Sequence, residues 1–222
     1  MAALSGSYYL KRDISHFKNT KYLVIFLWVT VFVEIVASSA VLPYYYDYKV
    51  LALIKETPFK NNFWIYNVYN IASFSFFTLY FVSFLKNEYW KTIFRVLTIC
   101  FIVVSGIIII STGSFFESSP QFVPIAGTLL LFFSVVLFYF ELLRSDLLLQ
   151  LKKLLPFYIS VGVLVFNLCV TPIDILSQYF NLTDGNELFV KLHTNVLFFA
   201  NVFMYGTFIF GFLICSKKKK SY

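Results

Sequence analysis

Several acids and amides in this chain fall where charge and hydrogen-bonding groups are otherwise scarce. Glu34, Glu141 and Asp174 lie within long apolar runs, and so do Asn67, Asn70, Asn167, Asn195 and Asn201. A carboxyl or amide in an apolar medium is costly unless it pairs with another polar group or faces a polar cavity, and ionisable residues so placed are functional candidates by default. Asn67 and Asn70 stand one helical turn apart in the uncharged run NFWIYNVYNIASFSFFTLYFVSFL, flanked by Trp64, Tyr66 and Tyr69. Carboxyls and amides at a shared depth can bind a proton or a small apolar or amphipathic molecule. Residue patterns for other chemistry are missing. There is no HExxH, histidine cluster, glycine-rich phosphate loop or GxSxG elbow. Cys100, Cys169 and Cys215 are far apart in apolar runs, with no CxxC, and read as buried thiols acting as small hydrophobes. No catalytic residue, metal site or cofactor is expected, and the chain reads as a non-enzyme.

The elements that would position these residues are membrane helices. The 222 residues are 59% hydrophobic and 22% aromatic but only 13% charged, with a mean hydropathy of +0.78. A soluble domain carries about a quarter of its residues charged. Six runs are each long enough for a hydrocarbon core of about 30 Å: 22–42, 62–85, 92–112, 122–143, 154–180 and 192–215. Within lipid the backbone must satisfy its own hydrogen bonds, so each run is expected to be a helix. The predicted fold is an all-α polytopic transmembrane bundle of six spans, a single integral membrane domain over 1–222. Pro43 is expected to end the first span and Pro172 to kink the fifth. The segment 2–10 is mildly apolar and stops at Lys11 and Arg12. It reads either as the tail of a further span, a seventh in the full-length protein, or as a short interfacial segment.

The net charge of +7 is explained by topology rather than by nucleic acid. Of the 18 Lys and Arg, all but Lys49, Lys55, Lys60 and Lys191 fall on the side of the bundle that holds residues 1–21 and 216–222. The positive-inside rule makes that side cytoplasmic, with both ends of the chain there. Lys217, Lys218, Lys219 and Lys220 form a basic anchor suited to anionic lipid. Asn181, Leu182 and Thr183 match the N-glycosylation pattern on the outer side.

With orientation assigned, the polar outliers sort by depth. At 1.5 Å per residue Glu34 lies about 18 Å into the first span, near the midplane. Asn67, Asn70, Asp174 and Asn201 all fall in the outer half. If they face inward they form an outward-opening pocket of Glu34, Asn67, Asn70, Asp174 and Asn201, built from spans one, two, five and six. Asn side chains also serve simply as hydrogen-bond links between helices, and that alternative stands beside the pocket. Glu141 lies one turn before Arg144 and reads as a local ion pair. His193 reads as an isolated residue at the membrane rim.

The runs TKYLVIFLWVTVFVEI, NFWIYNVYNI, FYFELLRSD and LPFYISVGVLVF resemble an uncharacterised group of small six- or seven-span membrane proteins of Bacteroidetes-type bacteria. The resemblance covers 21–217. Glu34, Trp64, Tyr66, Asn67, Glu141 and Asp146 are its most recognisable positions, and it assigns them no role. Members of that group are often encoded beside sensor histidine kinases, which implies such a kinase as a membrane partner. The expected function is therefore a sensor or ligand-receiving protein that acts through that partner. A small transporter or channel and a structural subunit of a membrane complex are the alternatives.

Overall fold

A computed structural model of the chain describes residues 1–12, 18–45, 57, 59, 61–177 and 187–216. Seven α-helices account for most of them: α1 (Ala2–Arg12), α2 (Lys18–Tyr45), α3 (Phe63–Val82), α4 (Glu88–Ser111), α5 (Phe122–Leu143), α6 (Leu155–Ser177) and α7 (Glu187–Cys215). A short 3-10 helix, Asp146–Lys153, joins α5 to α6. The run 217–220, the pattern at 181–183 and nearly all of the segment 46–60 lie outside the described residues.

Five of these helices, α2 and α4 through α7, are long and apolar enough to cross a membrane. The architecture is thus a helical bundle with the composition of a multi-pass membrane protein. The expected six spans are not all matched. At 20 residues α3 is long enough, but its tyrosines, serines and two asparagines make it less apolar than the other five. One further expectation is corrected. Pro43 does not end α2, which continues to Tyr45. Pro172 lies inside α6, which runs on to Ser177. Proline removes one N–H from the ladder, but near a helix end that loss leaves the remaining turns intact.

Large apolar side chains point outward along whole helix faces. On α4, Ile99, Ile107 and Ile110 are 61%, 60% and 81% exposed. Cys100 and Cys169 are exposed too, against the expectation that they are buried. Soluble proteins seldom present such broad apolar faces, whereas lipid accepts them at no cost.

Inside, one apolar core joins six helices. Tyr9, Leu23, Phe81, Leu131, Val135, Ile159, Phe208 and Phe212 are among its buried members. It lies towards the end of the bundle where α2 begins and α7 ends, called here the basic end. The eleven-residue α1 belongs to it, packed against both α2 and α7, with Tyr9 and Phe212 ring centroids 5.8 Å apart. Helix α4 lies outside this core, against α3 and α5.

Between lipid-facing helices the attraction comes from close packing and hydrogen bonds rather than from expulsion of water, so small residues mark the closest approaches. Gly162 of α6 is such a point. A Cβ there would meet the Phe208 ring at 2.9 Å and the Met204 carbonyl oxygen at 3.1 Å. Gly127 of α5 is another, since its Cβ would fall 2.5 Å from the Phe74 ring of α3. Polar ties complete the seams: Trp28 Nε1 donates to Ser7 Oγ (3.0 Å), Thr128 and Thr171 hydroxyls pair at 2.8 Å, and Tyr139 and Ser160 pair at 2.7 Å.

Gly162→Val should lower stability by about 1–3 kcal/mol, the usual cost of overpacking, seen as a lower unfolding temperature in detergent. Gly106→Ala is the matched control, because nothing lies within 4 Å of a Cβ at that position. It should leave the unfolding temperature unchanged or raise it.

Candidate functional site

The bundle encloses a cavity of about 440 Å³ at the end opposite the basic one, running inward towards the core. Helices α2, α3, α5, α6 and α7 all contribute to its wall. Its floor is apolar: Phe77, Leu131, Val163 and Phe208 line it. Beneath them Phe81, Val135, Ile159 and Phe212 are all but inaccessible. The wall at the other end is polar.

Four of the five residues expected to form a pocket line this cavity: Glu34, Asn70, Asp174 and Asn201. Asn167 joins them. Each arrives by helix geometry. Glu34 follows Thr30 by one turn on α2, and Asn70 follows Tyr66 by one turn on α3. Tyr66 donates its hydroxyl to Glu34 Oε2 at 3.3 Å, and Tyr69 and Thr30 hydroxyls pair at 2.9 Å. These two bonds fasten α2 to α3 along the cavity wall. Glu34 has no lysine, arginine or histidine partner within salt-bridge distance among the described residues.

Asn67 is the exception. It is 1% exposed and does not line the cavity. Its Nδ2 lies within hydrogen-bonding reach of three carbonyl oxygens in the α4–α5 connection, those of Ser114, Phe115 and Ser118, at 3.4, 3.2 and 2.9 Å. Its Oδ1 accepts from the Ser119 hydroxyl at 2.8 Å. Three residues along a helix leave two side chains about 60° apart around the axis and about 4.5 Å apart in height. That offset is enough to aim Asn70 at the cavity and Asn67 at the connection. The amide expected in the pocket therefore anchors a loop, and its hydrogen-bonding capacity is used there.

The other amides behave differently. Asn167 Nδ2 donates to Val163 O (2.8 Å) and Asn201 Nδ2 donates to Leu197 O (2.9 Å), each within its own helix. Their side-chain oxygens keep no hydrogen-bond partner among the described residues. Asn70 makes no hydrogen bond to another described residue. The exposed Asn195 stands apart from the cavity.

His193 is not isolated, as its sequence context led us to expect. Its Nε2 lies 3.0 Å from Asp174 Oδ1. Antiparallel packing of α6 and α7 brings together two residues near the facing ends of consecutive helices. That signal is present in the sequence once the two runs are read as a hairpin. Gln121 Nε2 donates to Ile175 O at 3.2 Å, tying the start of α5 to the same end of α6. Glu141 is corrected as well. No ion pair with Arg144 forms; Glu141 Oε1 accepts the Lys86 backbone N–H at 3.2 Å. The Arg144 guanidinium instead lies 4.2 Å from the Phe140 ring centroid. The tight turn between α3 and α4 offers a fixed donor, and a backbone donor costs less ordering than a long side chain.

Among the described residues no group of three or more His, Cys, Asp or Glu could hold a metal ion. The arrangement is suited to enclosing a small molecule. No family model matches the chain, and no curated protein or solved structure matches it either.

Asn67→Leu should cost about 1–3 kcal/mol, because it strands buried acceptors and a hydroxyl. Thermal unfolding would read the loss. Limited proteolysis should show faster cutting within 113–121 than in the parent, and unchanged cutting there would contradict the anchoring role.

Proposed function

We propose that this chain is a six-span membrane protein that receives a small ligand in the cavity around Glu34, Asn70, Asp174 and Asn201 and passes the change in helix packing to a membrane partner. The single observation that carries the reading is the convergence of these four side chains, from α2, α3, α6 and α7, on one cavity. Its volume of about 440 Å³ falls in the range of about 300–1,000 Å³ common for small-molecule sites. Polar groups that merely linked helices would be paired with each other, as Asn67 is with its loop. In the cavity wall, Asn70 bonds to no other described residue, and the side-chain oxygens of Asn167 and Asn201 keep no partner among the described residues.

The sixth span is α3. Its polar residues face protein rather than lipid: Asn67 and Thr78 are buried, and Asn70 borders the cavity. A helix sheltered by α2, α4 and α5 can carry such residues across a bilayer. The distribution of Lys and Arg favours a cytoplasmic basic end, with the cavity towards the outer face of a bacterial inner membrane. Lys217, Lys218, Lys219 and Lys220 would then meet anionic lipid. On the same side the 3-10 helix presents the exposed leucines Leu147, Leu148 and Leu149 beside Lys152 and Lys153, a composition suited to the headgroup zone. The described connections on that side are too short to hold an output domain, so a partner such as a histidine kinase would read the ligand state. The apolar floor favours a receiver over a transporter or channel, which needs a polar path through both halves of the membrane.

Two measurements test this. In a background with the three native cysteines replaced by serine, Asn61→Cys should react only with impermeant thiol reagent added outside. Asn87→Cys should react only after the cytoplasmic face is opened. Labelling of both from one side would mean that α3 does not cross. For binding, a panel of one-ring aromatic solutes, neutral, cationic and anionic, is scored by unfolding temperature. At least one should stabilise the parent by several degrees and fail to stabilise Asn70→Trp, which fills the cavity. No stabilisation by any solute, or equal stabilisation of both proteins, would remove the ligand-receiving reading.

A further inference from the structure

The charge balance of the cavity identifies the class of molecule it would take. Resting on the reading that the cavity binds a ligand, we infer that its ligand is a compact organic cation, an ammonium group on an apolar or aromatic body.

The wall carries two carboxyl groups, those of Glu34 and Asp174. Asn167 and Asn201 each donate one amide N–H to their own helices. Among the described lining residues there is no lysine or arginine. His193, beside the wall, is engaged with Asp174. Glu34 therefore carries the case. It has one hydrogen bond from Tyr66 and no cationic partner among the described residues. An anion entering this space would meet the like charge of two carboxylates. A neutral solute would leave the Glu34 carboxylate without a counter-charge. An ammonium group brings up to three N–H donors and the missing charge together.

The apolar part of the lining fits the rest of such a molecule. Phe26, Tyr69, Phe74, Phe77, Phe166 and Tyr205 surround the same space. Phe26 and Tyr69 lie nearly parallel, 12° apart, with centroids separated by 6.1 Å. Aromatic faces attract cations, and the attraction grows to about 2 kcal/mol when water is excluded. The same rings accept an aromatic or aliphatic body. The floor of Leu131, Val163 and Phe208 sets the limit on length, so a one-ring amine fits and a long chain does not.

The test compares three probes of nearly equal shape on the full chain in lipid nanodiscs at neutral pH: 2-phenylethylamine, 2-phenylethanol and 3-phenylpropanoate. Binding is read by calorimetry. The amine should bind at least tenfold tighter than the alcohol, and the carboxylate should not bind. Glu34→Gln should reduce amine affinity at least tenfold and leave the alcohol unchanged. Equal or tighter binding of the alcohol or the carboxylate would overturn the cation assignment while leaving a ligand-binding cavity in place, and so would undiminished amine binding in Glu34→Gln. Failure of all three probes on the parent would count against the cavity as a ligand site altogether. Should Glu34→Gln not fold, the order of the three probes on the parent decides the matter.

Discussion

Inside an apolar bundle a polar side chain has no water to fall back on, and most buried polar groups here find a protein partner, the hydroxyls of Ser75, Thr78, Tyr80 and Ser105 being the exceptions among the described residues. Helix α3 bears the largest polar load and takes a central place. Asn67 is its deepest polar commitment: a 1% exposed amide that meets three carbonyl oxygens and a hydroxyl of the α4–α5 connection. That connection could not fold over the end of α3 with its carbonyls unpaired, because unsatisfied buried acceptors are expensive. Tyr69 and Tyr66 tie α3 to α2 on one side. Gly127 admits the Phe74 ring on the other. The position of α3 thus sets those of α2, α4 and α5, and with them the shape of the cavity.

The cavity follows from the same constraint. At the basic end aromatic and branched side chains fill the space between helices, and Phe81, Ile159, Phe208 and Phe212 are almost wholly buried. At the opposite end α2 and α7 have little direct contact, and the acids and amides of four helices border the space that remains. Some of these groups satisfy themselves locally, as Asn167 and Asn201 do on their own helices. Glu34 cannot be satisfied in that way, since a carboxylate only accepts. The wall brings two carboxyl groups to a space with an apolar floor, and the proposed ligand class is the one that would balance their charge.

Helical character and the extents of the long apolar runs were legible in the sequence, because length and hydropathy report directly on them. So were the heights of Glu34, near the middle of its run, and of Asn70, Asp174 and Asn201, towards the end of theirs opposite the basic one, which need only a rise per residue. Depth says nothing about direction, and the misplaced residue was Asn67 for that reason. It stands about one turn from Asn70 and about 60° round α3, enough to meet the α4–α5 connection instead of the cavity. Glu141 and His193 went astray through neighbours distant in sequence. Glu141 was assigned the nearest cation on its own helix, and a backbone N–H 55 residues away took it. His193 was assigned to the rim, and Asp174 on the preceding helix reached it.

By itself, the sequence determined the medium, the helices and the height of each polar group along them, because hydrophobic length and helical rise are local properties. The tertiary structure decided which way each group faces and which partner it finds. Rotation about a helix axis is set by packing against neighbours, by contacts such as Gly162 against Met204 and Phe208, and no local pattern encodes it. That rotation separates Asn67, whose capacity is spent on a loop, from Asn70 and Glu34, which border the open space.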